Sequence, residues 1–339
     1  MKEQDPVAAA ARMLEQGGLV AFPTETVYGL GADAENPAAV AKIYAAKGRP
    51  MDHPVIVHIA PDASLDHWAT DIPIEARELA AAFWPGPLTM ILKRAPGIPD
   101  AVSGGQDTVG VRCPSHPVAI ALLQAFKGGQ GGLAAPSANK FGNVSPTTAQ
   151  HVRDEFGADG TVGAVLDGGQ SEVGIESTIV DLSRLATHGP VLLRPGHISA
   201  AAIAAVIDQE PAAPDVAAPR ASGTLESHYA PHTPVAMQAT AQLAQTLAQL
   251  QQNGRKVALV HYSDLPSAHA AVKLPATPEG FAHALYAALR EMDHAGADVI
   301  LVEAPPQDGA WMGVNDRLRR AAHGSTGIVH GLLNHDAPD

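Results

Sequence analysis

Short apolar runs bounded by glycine and proline alternate with alanine-rich helical stretches through the first 208 residues, and this alternation limits the chain to a layered α/β architecture. Strands are expected at 19–22, 55–59, 88–93, 108–112, 132–135, 162–166, 177–182 and 191–194, and helices at 6–17, 37–46, 75–83, 116–126, 147–156 and 199–208. That order implies a large mixed sheet with helices packed on it. The pattern stops at 210–223, EPAAPDVAAPRASG, where proline and alanine replace any periodicity and stiffen the chain into a linker. Beyond it, a helix at 242–252, a strand at 256–261, a helix at 278–294, a strand at 298–303 and a helix at 315–323 describe a smaller open-sheet α/β unit. Two domains also suit a length of 339 residues.

Composition excludes several classes. Aromatic residues are only 4% of the chain against 46% hydrophobic, so the core must be built largely from Ala, Val, Leu and Ile. The net charge is −13, with 14 basic against 21 acidic residues in 1–200 and 8 against 14 in the remainder. Neither part carries the basic surplus of a module that holds nucleic acid mainly through phosphates. No apolar run approaches the ~20 residues that span a bilayer, which gives the expectation of a soluble, cytoplasmic protein. The lone cysteine, Cys113, rules out an internal disulfide and reads as a buried structural thiol.

The chemistry-bearing residues fall in short polar segments, all before the linker. Asn36-Pro37 reads as an N-cap followed by proline at the first helical position, and Gly48 as the helix stop. Lys47 and Arg49 therefore flank a helix C-terminus, whose partial negative charge favours cations with or without a ligand. PTETVYGLG at 23–31 places Thr24, Glu25, Thr26 and Tyr28 at a strand exit, where ligands of open sheets collect. His58 lies within an apolar strand, and Arg112 ends another, where a half-buried guanidinium requires an internal acid or a ligand anion. Ser137 and Asn139 share one side of an extended segment, and Ser145 follows. Ser177 and Arg194 come from GIESTI and LLRPG. P-loop, zinc-protease and nucleophile-elbow motifs are absent, and no Ser-His-Asp arrangement favours covalent catalysis.

PTETVYGLG, the Lys47–Arg49 loop with Asp52 and Pro54, VRCPSHP, PSAN, GIESTIVD and LLRPG follow the order and spacing of the threonylcarbamoyl-AMP synthase family, which the chain resembles over about residues 7–208. Ser227-His-Tyr-Ala-Pro231 and the small unit after it are similar to the family's long form. The resemblance implies a three-layer, twisted mixed-sheet synthase domain with a concave cavity at 1–208. A linker at 209–234 would cover the active site, and a Rossmann-like domain would fill 235–339. It further implies that L-threonine and bicarbonate give an N-carboxylated threonine that attacks ATP, releasing pyrophosphate and leaving threonylcarbamoyl-adenylate. Other proteins would pass the threonylcarbamoyl group to adenosine beside the tRNA anticodon, and direct RNA binding would be secondary.

By the family pattern Lys47, Arg49 and Arg194 lie along the ATP phosphates, with Lys47 and Arg49 carrying the catalysis and Mg2+ arriving on the nucleotide. Thr108, Ser137, Asn139 and Ser145 fall on the nucleotide side, joined by Tyr229 from the linker. Thr26, His58, Arg112, Ala135 (through its backbone) and Ser177 match the threonine positions. His53 stands where the family commonly has asparagine, and is carried as a nucleotide contact. These cations answer a physical need: an anionic carbamate about 4 Å from a triphosphate charge is repelled by roughly 4 kcal/mol at an effective dielectric near 20. Two other readings remain at this level. A phosphosugar lyase on a similar fold would need more acids than Glu25 and Glu176, and a double-stranded RNA-binding module would need a basic surface.

Overall fold

The computed structural model describes residues 5–157, 160–226, 228–325 and 327–334. Ser227 of the His-Tyr-Ala-Pro motif, and the outermost residues of the expected domains at 1–4 and 335–339, lie outside these. The chain divides into two compact units, Met1–Phe141 with Ser145–Thr224, and Gly142–Val144 with Leu225–Asp339.

The first unit is built on a ten-stranded mixed sheet. Its strands are Val20–Phe22 (β1), Gly29–Asp33 (β2), Ile56–Ile59 (β3), Ala69–Thr70 (β4), Leu88–Arg94 (β5), Thr108–Arg112 (β6), Gly132–Ala134 (β7), Ala164–Val165 (β8), Thr178–Asp181 (β9) and Val191–Arg194 (β10). They lie in the order β10-β9-β5-β6-β3-β7-β2-β1-β8, with β4 added to β5. Strand β6 runs parallel to β3 and antiparallel to β5, while β5 runs parallel to β9. The expected strands and helices form, most within two residues of the limits read from sequence.

Alternation along the strands assigns the two faces. Val57, Met90, Leu92, Val109, Val111 and Val180 point into the main core, where Val40 and Ile43 of helix Pro37–Lys47 and Leu79 of helix Ile74–Phe83 pack on them. Ile56, Ile91 and Ile179 point the other way, and meet Ala218 and Ala221 of the Pro/Ala stretch. At the β1 and β7 side, helices Pro6–Glu15 and Pro117–Ala125 cover that second face through Leu14, Leu122 and Leu123. A strip between these coverings is lined by polar residues instead.

Helix Pro37–Lys47 shows why the local sequence folds as it does. Asn36 accepts from the amides of Ala38 and Ala39 at 3.1 and 3.2 Å, and Gly48 closes the helix in the left-handed conformation at φ 65°. Strand β2 was not expected, because the sequence reads there as a polar strand exit with two glycines. The reason for those glycines is packing: a Cβ on Gly31 would stand 2.8 Å from the Phe22 ring of the paired strand.

The second unit is a parallel sheet of Val235–Gln238 (β11), Val257–His261 (β12), Ala270–Lys273 (β13) and Val299–Glu303 (β14), in the order β11-β14-β12-β13. Strands β11 and β13 were missed by sequence, being short and partly exposed rather than uniformly apolar. Leu243, Leu247 and Leu250 of helix Thr240–Gln252 pack on Val257, Leu259, Val299 and Leu301. Helix Pro278–Asp293 buries Phe281, Leu285, Tyr286 and Leu289.

Candidate active site

The polar strip of the first unit gathers the residues that the sequence analysis singled out. His58 shares the face of Ile56, Thr108 and Arg112 share that of Gly110, and Ser177 precedes β9 on the face of Ile179. Register places His58 opposite Arg112 on the neighbouring strand. All four side chains are buried.

Arg112 is tied to the strand exit after β1. Its Nη2 donates to Glu25 Oε1 at 2.5 Å, its Nη1 to Thr26 Oγ1 at 2.9 Å and its Nε to the Gly86 carbonyl at 3.3 Å. The internal acid that a buried arginine requires is thus Glu25, which the sequence left as one of two options. Thr24 Oγ1 accepts from the Thr26 and Val27 amides and donates to the Val27 carbonyl, a local turn that fixes Thr26. His58 Nδ1 donates to the Ile56 carbonyl, 3.2 Å away. Burial first, and the Arg112 charge second, push its pKa down to about 3, so the ring is neutral at physiological pH. The Ala135 amide donates to the Ile56 carbonyl at 3.0 Å, which leaves recognition there to other backbone atoms.

On the other side of the strip, cations converge. Arg194 donates through Nε and Nη2 to the Ser177 carbonyl and hydroxyl at 3.0 and 3.1 Å, and Ser177 Oγ lies 2.8 Å from Thr89 Oγ1. Arg194 Nη1 donates to the Ser222 carbonyl at 2.8 Å, while Arg49 Nη2 reaches the Ser222 hydroxyl at 3.4 Å. Two buried guanidiniums from separate elements therefore meet on one residue of the Pro/Ala stretch. Sequence gave no signal for that meeting, because Ser222 lies far from both in the chain.

Lys47 is buried, and its Nζ donates to the carbonyls of Ser137, at 2.6 Å, and of Asn139. The loss of hydration, reinforced by Arg49, holds its pKa well below the usual lysine range. Lys47 thereby pins the Pro-Ser-Ala-Asn loop. Asn139 Nδ2 donates to the Lys140 carbonyl at 2.8 Å, and Ser145 donates to Glu176 Oε1 at 2.5 Å. His53 sits at the edge of this group, its ring 5.5 Å from that of Phe141 and its pKa lowered by burial and then by Arg49. Tyr229 belongs to the second unit, where it is buried at φ 60° against Tyr286, with the Arg317 guanidinium 5.6 Å from its ring.

Cys113 is buried as expected, and its surroundings push the thiol up to about 12, burial first and Glu25 second. It lines a cavity with Leu65, Trp84 and Pro85 that contains none of the site residues above.

Residues 12–196 match the family model described as telomere recombination, Sua5/YciO/YrdC, and residues 198–323 match the threonylcarbamoyl-AMP synthase C-terminal domain. The threonylcarbamoyl-AMP synthase of Pyrococcus abyssi is 40% identical over 331 residues, covering 94% of this chain and 95% of the relative. That of Bacillus subtilis is 40% identical over 342 residues, covering 96% and 95%. The crystal structure of P. abyssi Sua5 complexed with L-threonine superposes with a TM-score of 0.86 over 94% of both chains. With matches of that extent over both units, the chain belongs to the threonylcarbamoyl-AMP synthase family.

Proposed function

We propose that the polar strip of the first unit joins L-threonine, bicarbonate and ATP into L-threonylcarbamoyladenylate and pyrophosphate, for threonylcarbamoylation of adenosine next to the tRNA anticodon. The observation that carries the assignment is the meeting of Arg49 and Arg194 at Ser222, beside the buried Lys47. Two guanidiniums directed at the carbonyl and the hydroxyl of one residue, beside a Lys47 whose pKa burial and then Arg49 hold low, form a receptacle for phosphates. In this reading ATP displaces Ser222, and the linker at 209–234 closes the site.

Thr26, His58, Arg112, Ala135 and Ser177 hold threonine, with Arg112 on its carboxylate. Thr108, Ser137, Asn139, Ser145 and His53 line the nucleotide. The amine nitrogen of threonine bonds to the bicarbonate carbon with loss of water, and the resulting carbamate oxygen attacks the α-phosphorus as its bond to the pyrophosphate oxygen breaks. Ser177 touches Arg194 and stands on the threonine side, so it joins the two halves of the site. Holding two reactants in attack geometry can supply about 7–11 kcal/mol, which makes positioning the main source of rate. No general base is assigned.

Mg2+ would enter on the nucleotide, where it offsets phosphate charge. Among the described residues no group of three or more His, Cys, Asp or Glu side chains could hold a metal ion, and the residues proposed around the phosphates are cations and hydrogen-bond donors. The adenylate passes to downstream threonylcarbamoyl-transfer proteins. No described helix is long and apolar enough to cross a membrane, and we assign the reaction to the cytoplasm.

The test is pyrophosphate release from ATP by the purified full chain. Release is expected only when L-threonine and bicarbonate are both present. Equal release without threonine would exclude the synthase assignment.

A further inference from the structure

Glu25 is a buried carboxylate that the proposed reaction does not use, yet it touches the group assigned to the substrate. Its Oε1 lies 2.5 Å from Arg112 Nη2, and the two side chains are only 5% and 4% exposed. Its Oε2 accepts from the Ser115 amide at 3.0 Å, and its carbonyl accepts from the Val173 amide at 2.7 Å. The adjoining turn through Thr24 fixes the backbone on the other side. The carboxylate is therefore held at a set position beside Arg112, while His58, opposite Arg112, is neutral, and burial and Glu25 keep the Cys113 thiol protonated. In the proposed threonine pocket the Arg112–Glu25 pair brings one positive and one negative charge together.

We infer that Glu25 is a specificity-determining residue that makes this pocket neutral and so selects a zwitterionic α-amino acid over a simple carboxylate. This rests on the assignment of Arg112 to the substrate carboxylate. In an α-amino acid the nitrogen lies about 2.5 Å from the carboxyl carbon. A carboxylate seated on Arg112 thus brings its ammonium group into the field of Glu25. A zwitterion keeps the pocket neutral, whereas an acid lacking the amine leaves two buried carboxylates on one guanidinium, an arrangement disfavoured at low local dielectric. Neutrality also has a consequence for the next step. Once the ammonium group has given a proton to water, the free amine bonds to the bicarbonate carbon with loss of water, and the positive charge is replaced by a negative one; Glu25 then repels the carbamate, which favours its approach to Lys47, Arg49 and Arg194.

The experiment compares dissociation constants of L-threonine and of 3-hydroxybutyrate, its deaminated analogue, by calorimetry on the full-length wild type, Glu25→Gln and Glu25→Asp. Glutamine removes the charge and keeps one acceptor oxygen, for Arg112 or for Ser115 but not both, and aspartate keeps the charge and both acceptor oxygens on a shorter side chain. The wild type is expected to prefer L-threonine, Glu25→Gln to reduce the ratio of the two constants by about tenfold or more, and Glu25→Asp to retain most of it. In Glu25→Gln, 3-hydroxybutyrate should bind more tightly than it does to the wild type. A purely structural role would shift both ligands alike and leave the ratio unchanged, which would overturn the inference. Should Glu25→Gln not fold, collapse of the ratio in a folded Glu25→Asp would overturn it and retention would support it. If wild type fails to bind L-threonine at all, the proposed function itself is at fault rather than the role of Glu25.

Discussion

At the scale of single residues, His58 shows how an ordinary strand position becomes specialised. A histidine among Val55, Val57 and Ile59 reads from sequence as a core residue, and it is buried in the structure. Its opposition to Arg112 adds a positive neighbour to that burial and lowers its pKa from 6.5 to about 3. Between those values the unfolded chain binds a proton that the native protein does not, so stability falls as pH drops from 6.5 towards 3 and is fully retained above 6.5. Replacing His58 by Asn should remove this dependence. Urea unfolding at pH 7.5 and 5.0 is expected to show the wild type losing about 2 kcal/mol more than the variant across the interval. Equal losses would mean that the ring is protonated in the folded protein.

At the scale of elements, helix Pro37–Lys47 was legible in full because its two ends are local chemistry: Asn36 caps one and Gly48 the other. Asn36→Ala should cost about 1 kcal/mol by loss of the cap. Gly48→Ala should also cost about 1 kcal/mol, entirely through the left-handed backbone, since a Cβ there meets nothing within 4 Å. The two variants separate in kinetics. Gly48 lies between Lys47 and Arg49, so its substitution should raise KM for ATP several-fold, whereas Asn36→Ala should leave it unchanged; matching KM values would break the link between this helix end and the nucleotide. Strand β2 was illegible by contrast, because the need for Gly31 comes from the Phe22 ring on a partner strand. The Glu25–Arg112 pair was hidden for a similar reason. The demand for an anion at Arg112 could be read locally, but the identity of that anion depends on bringing residues 87 positions apart together.

At the scale of the whole chain, charge decides what kind of partner the protein can retain. A net charge of −13 with acidic surplus in both parts opposes any tight, nonspecific hold on a polyanion. The full chain is therefore expected to bind bulk tRNA only weakly at about 0.15 M salt, with a dissociation constant of roughly 10⁻⁵ M or above by fluorescence anisotropy. Submicromolar binding would require a local basic surface and revive a direct RNA role. The two-unit organisation was readable from the break in periodicity, whereas the destination of the segment 210–223 was not. Its alanines cover Ile56, Ile91 and Ile179 on a sheet face that alternation alone leaves undetermined.

Ser222 gives that segment a further meaning. Its carbonyl occupies Arg194 and its hydroxyl lies at Arg49, so under the proposed assignment the phosphates displace a competitor belonging to the same molecule. A tethered group acts at an effective concentration set by its chain connection, commonly millimolar, that no dilution of the protein can lower. Under that assignment the self-competition raises the apparent dissociation constant for ATP by a fixed factor, the same at every protein concentration, and a Ser222 variant that loosens the contact would bind ATP more tightly.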